Sequence, residues 1–196
     1  YHHDGGLTVS YRLNTGKHNL RAGLVASVGQ IDRRTYINKD GLESFMFAHD
    51  NLQARNLTLF AEDLIRLTSK LNFVADAHLV YNERNSSDRF PQPDLRPWYS
   101  HMSKKYRYFR SQSTTLNQHF SAFNPRIGLI YSPFKGQDVQ LFGNLSRSYE
   151  PPTFDELVGT EVTTNINTSP KRLYAIALDK QTATTLELGS KGRTTR

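Results

Sequence analysis

The residues best suited to bind a ligand lie in one polar segment near the middle of the chain. Aromatic and basic side chains are interleaved there, at Trp98, Tyr99, Tyr106, Arg107, Tyr108 and Arg110. Rings beside guanidinium groups can hold an anionic, partly aromatic ligand, such as a ferric catecholate or carboxylate chelate, by stacking and cation–π contact. The same composition fits an aromatic girdle at a membrane interface, where basic residues meet lipid phosphates. The sequence leaves both interpretations open.

A second candidate is the pair Asp76 and His78, which lie two residues apart and therefore share one face of a strand. One interpretation is a metal or proton-transfer site. We favour a structural polar pair. If the strand belongs to a barrel, the pair would line its lumen and be hydrogen-bonded to water or to a plug that fills the barrel. Glu62 and Asp63 are adjacent and point to opposite faces, so they cannot form a paired-carboxylate site. We interpret them as residues of a strand end and turn.

Two further groups have a simpler interpretation than metal binding. Asp155 and Glu156 follow a double proline and fit a capped turn better than a cation site. His2 and His3 fit a frayed loop remnant better than a pair of metal ligands. A Ser-His-Asp order, a phosphate-binding glycine loop, a zinc helix and a nucleotide fingerprint are all missing from the sequence. We therefore expect no enzyme activity, no cofactor and no metal site.

The composition limits the class of protein. The chain has 196 residues, no cysteine and a formal net charge of +7. Its basic residues are spread along the chain or gathered in the long polar segment, so we expect no nucleic-acid partner. It has no apolar run of the roughly 18 to 20 residues that a membrane helix needs, so any membrane crossing must use strands. The lack of a signal peptide and the abrupt, strand-like start predict an internal part of a longer precursor.

Alternation with period two predicts three hairpins and a final strand. The predicted strands cover residues 7–13 with 20–29, 56–65 with 71–82, 123–132 with 139–149, and finally 182–191. The clearest alternation, over residues 71–81, is about as long as a tilted strand needs to be to cross a bilayer. This pattern predicts an all-β fold of antiparallel hairpins that forms part of a transmembrane β-barrel.

The connections between these strands alternate between short and long. Short turns are predicted at residues 14–17, 66–70 and 133–137, and long polar segments are centred near residues 42, 102 and 165. Outer-membrane barrels have short periplasmic turns and long extracellular loops, which sets the expected orientation. Seven strands are too few for a transport barrel, so we expect about a third of a roughly 22-stranded, plugged transporter.

The last part of the chain contains a motif in two pieces. The strand VQLFGNLSRSYE must stop at Pro151 and Pro152, because proline lacks an N–H and disfavours helical geometry in the residue before it. Thr153 is then placed to cap a single helical turn containing Phe154, Glu156 and Leu157. The second piece, TTLELGSKG, contains Glu187 and Gly189. With NLTLFAEDL and FNPRIGLIYSP upstream, these two pieces resemble the barrel of TonB-dependent outer-membrane receptors.

The resemblance implies an active transporter in the bacterial outer membrane. Outer loops would capture a metal chelate, most often a ferric siderophore, and the TonB complex would open a path by pulling on a plug. Residues 1–196 would supply part of the barrel, in contact with outer-membrane lipid and lipopolysaccharide, while the plug and the remaining strands would lie outside this chain. The lumen-facing residues would be Asn72, Asp76, His78, Asn144, Ser146 and Glu187.

The sequence departs from the family pattern at Ala77–His78, where the family often has Gly-Leu-Arg. That difference leaves the lumen chemistry at this point open. A passive porin or structural barrel, and a soluble β-sandwich binding domain, are the alternative functions. Ferric citrate, haem and cobalamin receptors share the same barrel motifs, so the sequence does not identify the ligand.

Overall fold

The computed structural model of the chain describes residues 1–100, 103–134, 139–161 and 172–192. Within these ranges the chain forms eleven strands and one short helix. The strands are β1 (His2–Asn14), β2 (His18–Lys39), β3 (Leu42–Arg66), β4 (Leu71–Asp88), β5 (Leu95–Ser100), β6 (Lys105–Arg110), β7 (Leu116–Tyr131), β8 (Val139–Glu150), β9 (Val158–Glu161), β10 (Arg172–Ala175) and β11 (Gln181–Gly192), and the helix is α1 (Phe154–Leu157).

Seven of these strands form one antiparallel sheet in the order β1-β2-β3-β4-β7-β8-β11. Neighbours in the sheet follow one another along the chain, except where β5–β6 and β9–β10 are inserted as separate two-stranded sheets. β1 and β11 lie at the two edges and, over the described ranges, do not pair with each other. The predicted all-β fold, the antiparallel hairpins and the seven-strand count are confirmed.

One face of the sheet, here called the aliphatic face, is a continuous apolar surface. Leu24 lies opposite Leu59, Leu59 opposite Leu79, and Leu79 opposite Phe123 in successive strands. Leu79 and Phe123 are more than half exposed, at 56% and 54%. A soluble monomer rarely exposes an apolar surface of this extent, whereas a membrane barrel presents an apolar band to lipid. The exposed apolar face therefore fits a barrel wall better than the soluble sandwich alternative.

The connection between β2 and β3 is much shorter than the sequence predicted. The two strands are 22 and 25 residues long and meet at Asp40 and Gly41, both with positive φ. The polar segment that we interpreted as a long connection centred near residue 42 is therefore strand. The prediction was wrong because the face that is aliphatic elsewhere becomes polar in this extension, as at Asp32 and His49, which bond to each other at 3.0 Å. Without one apolar face, period-two alternation of hydrophobicity disappears.

The remaining connections agree with the predicted lengths where they are described. Tight turns join β1 to β2 and β3 to β4, as expected at residues 14–17 and 66–70. Residues 135–138 of the third predicted turn, and residues 162–171 around the predicted long segment near 165, lie outside the described residues. The long segment between β4 and β7 contains the β5–β6 hairpin. His2 and His3, expected in a frayed remnant, are paired residues of β1.

The core lies at the end of the sheet where β2, β3 and β4 extend furthest. Ala48, Phe109 and Val158 are buried together there. Partly buried Phe47, Trp98 and Leu116 pack around them. Ala48 lies on the face opposite the aliphatic one, here called the polar face, so β5–β6 and the chain after α1 cover the polar face at this end. The described residues contain no helix long and apolar enough to cross a membrane.

Candidate functional site

A row of charged residues crosses the polar face at one level of the strand register. Arg21 on β2 lies opposite Glu62, Glu62 opposite Asp76, and Asp76 opposite Arg126 on β7. The Arg21 guanidinium is 3.7 Å from the Glu62 carboxylate, and Arg126 donates to Asp76 at 2.5 Å. The two carboxylates lie side by side in the middle of the row, and each is paired with an arginine on its outer side, which offsets the cost of placing the charges in a restricted polar space. Glu62, interpreted from sequence as a turn residue, belongs to this row instead.

His78 lies beside this row but does not contact Asp76. Its Nε2 is 3.9 Å from Glu62 Oε1, and its ring stacks on Phe60 with 5.9 Å between centroids. Asp76 and His78 share the polar face, as predicted, yet each has a partner on a different strand. Among the described residues no group of three His, Cys, Asp or Glu side chains is placed to hold a metal ion.

The two pieces of the sequence motif meet on β8 and β11. Asn144 donates to Glu187 at 2.8 Å, so these two predicted lumen residues are partners across the strands. Gly189 lies opposite Phe142, and a Cβ at Gly189 would come within 2.4 Å of the Phe142 ring. The motif glycine is therefore required by the close approach of an aromatic ring.

The predicted ligand residues fall on the β5–β6 hairpin, where they divide between two faces. Trp98 lies opposite Arg107, on the face whose Phe109 is buried in the core. Tyr99 lies opposite Tyr106, and Pro97 opposite Tyr108, on the other face. Pairing across the hairpin therefore separates Trp98 and Arg107 from Tyr99, Tyr106, Tyr108 and Arg110.

The second face of the hairpin is held to the tip of β2–β3. Tyr106 bonds to the Ser44 hydroxyl at 2.7 Å and contacts the Phe45 ring edge to face at 4.9 Å. The Lys39 ammonium lies 5.6 Å from the Tyr99 ring and 5.7 Å from the Tyr106 ring, which places a cation over two neighbouring aromatic rings. These contacts leave Tyr106 only partly available to a ligand.

An open groove lies between the hairpin and the β2–β3 tip. Its volume is about 430 Å³, and its lining includes Phe45, Phe90, Leu95, Pro97, Tyr106 and Tyr108. Tyr108 is 66% exposed. Arg107 and Arg110 are exposed on the same hairpin. The arrangement is an apolar, largely aromatic groove on a hairpin that carries exposed cations, which suits a ligand that combines flat rings with negative charge.

A buried arginine that the sequence did not single out holds the hairpin in place. Arg96 is fully buried and donates to Asp88 at 2.5 Å and to the Phe47 carbonyl at 2.9 Å. It also donates to the Ser111 hydroxyl at 3.1 Å. A buried, paired arginine is rare, and nothing in an Arg-Pro dipeptide within a polar segment predicts that this arginine is buried. Only the folded structure identifies Arg96.

A second ion-pair network joins the wall to the double-proline motif. Asp50 is fully buried and accepts from Arg33 at 3.2 Å and from the Thr114 hydroxyl at 2.5 Å. Arg33 also donates to Asp155 in α1 at 2.9 Å. The motif is therefore fixed to the extension of β2 and β3 on the polar face.

The local structure of the motif follows the sequence prediction. β8 ends at Glu150, directly before Pro151 and Pro152, and α1 is a single turn. Thr153 and Glu156 form a capping box, in which the Thr153 backbone N–H donates to Glu156 at 2.7 Å. Hydrogen bonds from the Thr153 backbone and side chain lower the pKa of Glu156 below its ordinary value. Phe154 is half-buried and Leu157 fully buried, so the capped turn anchors the chain to the core.

A seven-stranded antiparallel meander with an exposed aliphatic face, a charged opposite face and loops folded over one end defines a segment of an outer-membrane β-barrel. The chain belongs to the TonB-dependent receptor-like β-barrel family, because the family model matches residues 1–196. A comparison with curated proteins finds no match. The predicted resemblance and the bacterial outer-membrane location are confirmed, and the family implies TonB-dependent uptake of a ligand.

Membership in the family assigns the two faces. The aliphatic face contacts lipid, and the polar face lines the barrel interior. The end that carries β5–β6, α1 and the β2–β3 tip is extracellular, and the turns that join β1 to β2 and β3 to β4 are periplasmic. The charged row thus lies in the interior, and the aromatic groove lies at its outer mouth.

Proposed function

We propose that this chain forms part of the barrel of a TonB-energised importer of a metal chelate, with ferric siderophores as the substrate class. The aromatic groove between the β5–β6 hairpin and the β2–β3 tip is the observation that carries this proposal. Trp98, Tyr99, Tyr106, Arg107, Tyr108 and Arg110 stay predicted ligand residues. Tyr108 and Arg110 are exposed on the groove's face of the hairpin and are the ones most available to a ligand, whereas Arg107 is exposed on the opposite face.

The chemistry of the groove supports a ligand with aromatic and anionic parts. Its lining is mostly apolar, and the Lys39 ammonium lies 5.7 Å from the ring of Tyr106, which is one of the lining residues. Ferric chelates with aryl oxygen donors present flat rings and carry net negative charge. Stacking against tyrosine together with attraction to arginine would hold such a ligand without a metal–protein bond.

The charged row supports passage through the interior after capture. Arg21, Glu62, Asp76 and Arg126 line the polar face as two ion pairs, so the charges of the row sum to zero. His78, Asn144 and Glu187 lie near the same level, as the predicted contacts of a plug or a passing ligand. We expect the plug to occupy this space and to be moved by the TonB complex.

We further propose that other strands complete the barrel. β1 and β11 present sheet edges, and an open edge cannot persist in the hydrocarbon of a bilayer because its backbone groups would be unpaired. Closure around a plug requires a wide barrel of about 22 strands. Residues 1–196 would then supply seven of them.

Uptake by the full-length protein in a deletion strain tests this function. Radiolabelled ferric catecholate, ferric carboxylate, haem and cobalamin are offered separately, with and without an agent that collapses the proton-motive force. We expect saturable uptake of one ferric chelate that stops when the force collapses. Uptake that persists after collapse would indicate a passive porin instead.

Two variants assign the capture step to the groove. Arg110→Gln combined with Tyr108→Ala removes an exposed cation and an exposed ring from the groove's face of the hairpin, and we expect at least a tenfold loss of chelate binding to whole cells, since each contact contributes on the order of 1 kcal/mol. Lys17→Gln, in a periplasmic turn, is the matched control and should bind as the native protein does. Equal binding by both variants would remove the groove from the proposal.

A further inference from the structure

The lipid-facing surface contains a cavity where two neighbouring strands separate. β7 starts at Leu116 and β8 runs to Glu150, but the two strands pair only from Arg126 opposite Ser146 to Tyr131 opposite Leu141. β4 stays paired with β7 as far as Leu116, and β11 stays paired with β8 as far as Glu150. A cleft therefore separates β7, which is paired with β4, from β8, which is paired with β11. It lies on the extracellular side of the Arg126–Ser146 pair.

The cavity at this cleft combines an apolar wall with a cationic edge. Its volume is about 530 Å³, and its apolar wall includes Leu57, Leu59, Leu79 and Phe123 of the aliphatic face. Arg147 and Lys180 line the other side. Of the residues that the structure describes around the cavity, none is acidic. The two positive charges therefore face the cavity without a carboxylate partner in its lining.

Lys180 is held across the cleft by two contacts. Its ammonium donates to the backbone carbonyl of Ser121 on β7. It also lies 5.8 Å from the centre of the Tyr149 ring on β8. A lysine in this position places its charge at the cavity mouth.

The cavity lies at the extracellular boundary of the membrane. Along the aliphatic face, Leu57 is followed by Arg55 on β3 and Tyr81 by Glu83 on β4, and both polar residues lie further from the periplasmic turns. Tyr81 also bonds to His119 at 2.9 Å. Apolar side chains thus give way to aromatic and charged ones at this level, as at the headgroup region of a bilayer.

We propose that this cavity binds one phosphate-bearing glycolipid of the outer leaflet. A hydrocarbon chain lies along Leu57, Leu79 and Phe123, and the phosphate is bound by Arg147 and Lys180. A zwitterionic phospholipid fits less well, because the lining offers two cations and no anion to meet its amine. The proposal depends on the outer-membrane location and is independent of ligand uptake.

Native mass spectrometry of the full-length receptor in mild detergent tests the site. The purified protein is titrated with the bis-phosphorylated lipid anchor of lipopolysaccharide, and with the same lipid after removal of its phosphates. Arg147→Gln with Lys180→Gln is compared with Lys17→Gln with Arg66→Gln, which removes two cations at the periplasmic end. We expect the first variant to bind the phosphorylated lipid about 10- to 30-fold more weakly, as loss of two interfacial cations predicts, and the second to bind normally.

Two results would overturn the proposal: equal binding by both double variants, or equal binding of the phosphorylated and dephosphorylated lipids to the native protein. Arg147→Lys with Lys180→Arg keeps both charges and should restore binding. If the glutamine variant fails to assemble, Leu79→Trp offers a second test, because it fills the cavity and leaves both cations in place. Leu79→Trp should also reduce lipid binding, and unchanged binding would contradict the site.

Discussion

Arg33 on β2 forms an ion pair with Asp155 in α1 at 2.9 Å, although 122 positions separate the two residues in the sequence. The same guanidinium binds the fully buried Asp50 at 3.2 Å. Arg33 therefore connects the double-proline motif to the extracellular wall of the barrel. The two carboxylates differ sharply in exposure, since the Asp155 side chain is 90% exposed and the Asp50 side chain is buried.

This difference predicts unequal effects of two charge removals. Arg33→Gln leaves the Asp50 carboxylate buried without its cation, and we expect about 3 kcal/mol lower free energy of opening for the extracellular region. Asp155→Asn removes only an exposed pair and should cost at most about 1 kcal/mol. Hydrogen exchange on the detergent-solubilised full-length receptor measures both values. Similar losses in the two variants would contradict the role assigned to Asp50.

Arg96 should be essential for the order of the β5–β6 hairpin. Arg96→Met removes the donors to Asp88 and to the Phe47 carbonyl and leaves the buried Asp88 carboxylate without its cation. We expect a loss of roughly 3 to 5 kcal/mol of local stability, seen as fast hydrogen exchange across residues 95–110. Lys105→Met, an exposed change on the same hairpin, is the control and should exchange as the native protein does. Protected exchange in Arg96→Met would show that the hairpin is held by other contacts.

Gly189→Ala should impair packing between β8 and β11. The new methyl group would clash with the Phe142 ring, and overpacking of this kind costs about 1 to 3 kcal/mol. Gly5→Ala on β1 has open space around its Cβ and is the matched control. The fraction of receptor that assembles into the outer membrane, read by heat-modifiable gel migration, reports the effect. Phe142→Leu added to Gly189→Ala should restore assembly, and failure of this rescue would argue against the ring contact.

The capping box predicts a defined pH dependence for the anchoring of α1. The folded-state pKa of Glu156 is lowered from its ordinary value of 4.5. The contribution of Glu156 to the stability of the capped turn is therefore fully present above that value and is lost as pH falls through the lowered pKa. Protection factors of the α1 amides, corrected for intrinsic exchange, should be constant down to about pH 5 and decrease below 4.5. Glu156→Gln cannot titrate and should show a weaker, flat profile. A parallel decline in both proteins would assign the pH effect to another group.

Local chemistry made parts of this structure predictable. Strands were found wherever one face is apolar, and the end of β8 and the single turn of α1 followed from Pro151, Pro152 and Thr153. The shared face of Asp76 and His78 also followed from the period of two. Their partners did not, because Glu62 and Arg126 come from other strands and are brought together only by the register between strands.

Other parts depend on three-dimensional context that no local pattern contains. The extension of β2 and β3 is polar on both sides of the sheet at many positions. Its sequence therefore lacks the alternation of apolar and polar residues that marks a strand, and it resembles a loop. Arg96 and Asp50 are charged residues that lie in the core because each finds its partner there. The cleft between β7 and β8 arises where pairing stops within two sequences that continue as strands.

The long extension of β2 and β3 also determines how far from the bilayer a ligand is first held. From Gln30 to Lys39 the strand continues for about ten residues, a span of roughly 30 Å at 3.3 Å per residue. The groove near Phe45 therefore stands well above the lipid, at the height of the surrounding sugar layer. Because side chains alternate between faces, removing two consecutive residues from each of the two strands would lower the groove stepwise while every remaining side chain keeps its orientation.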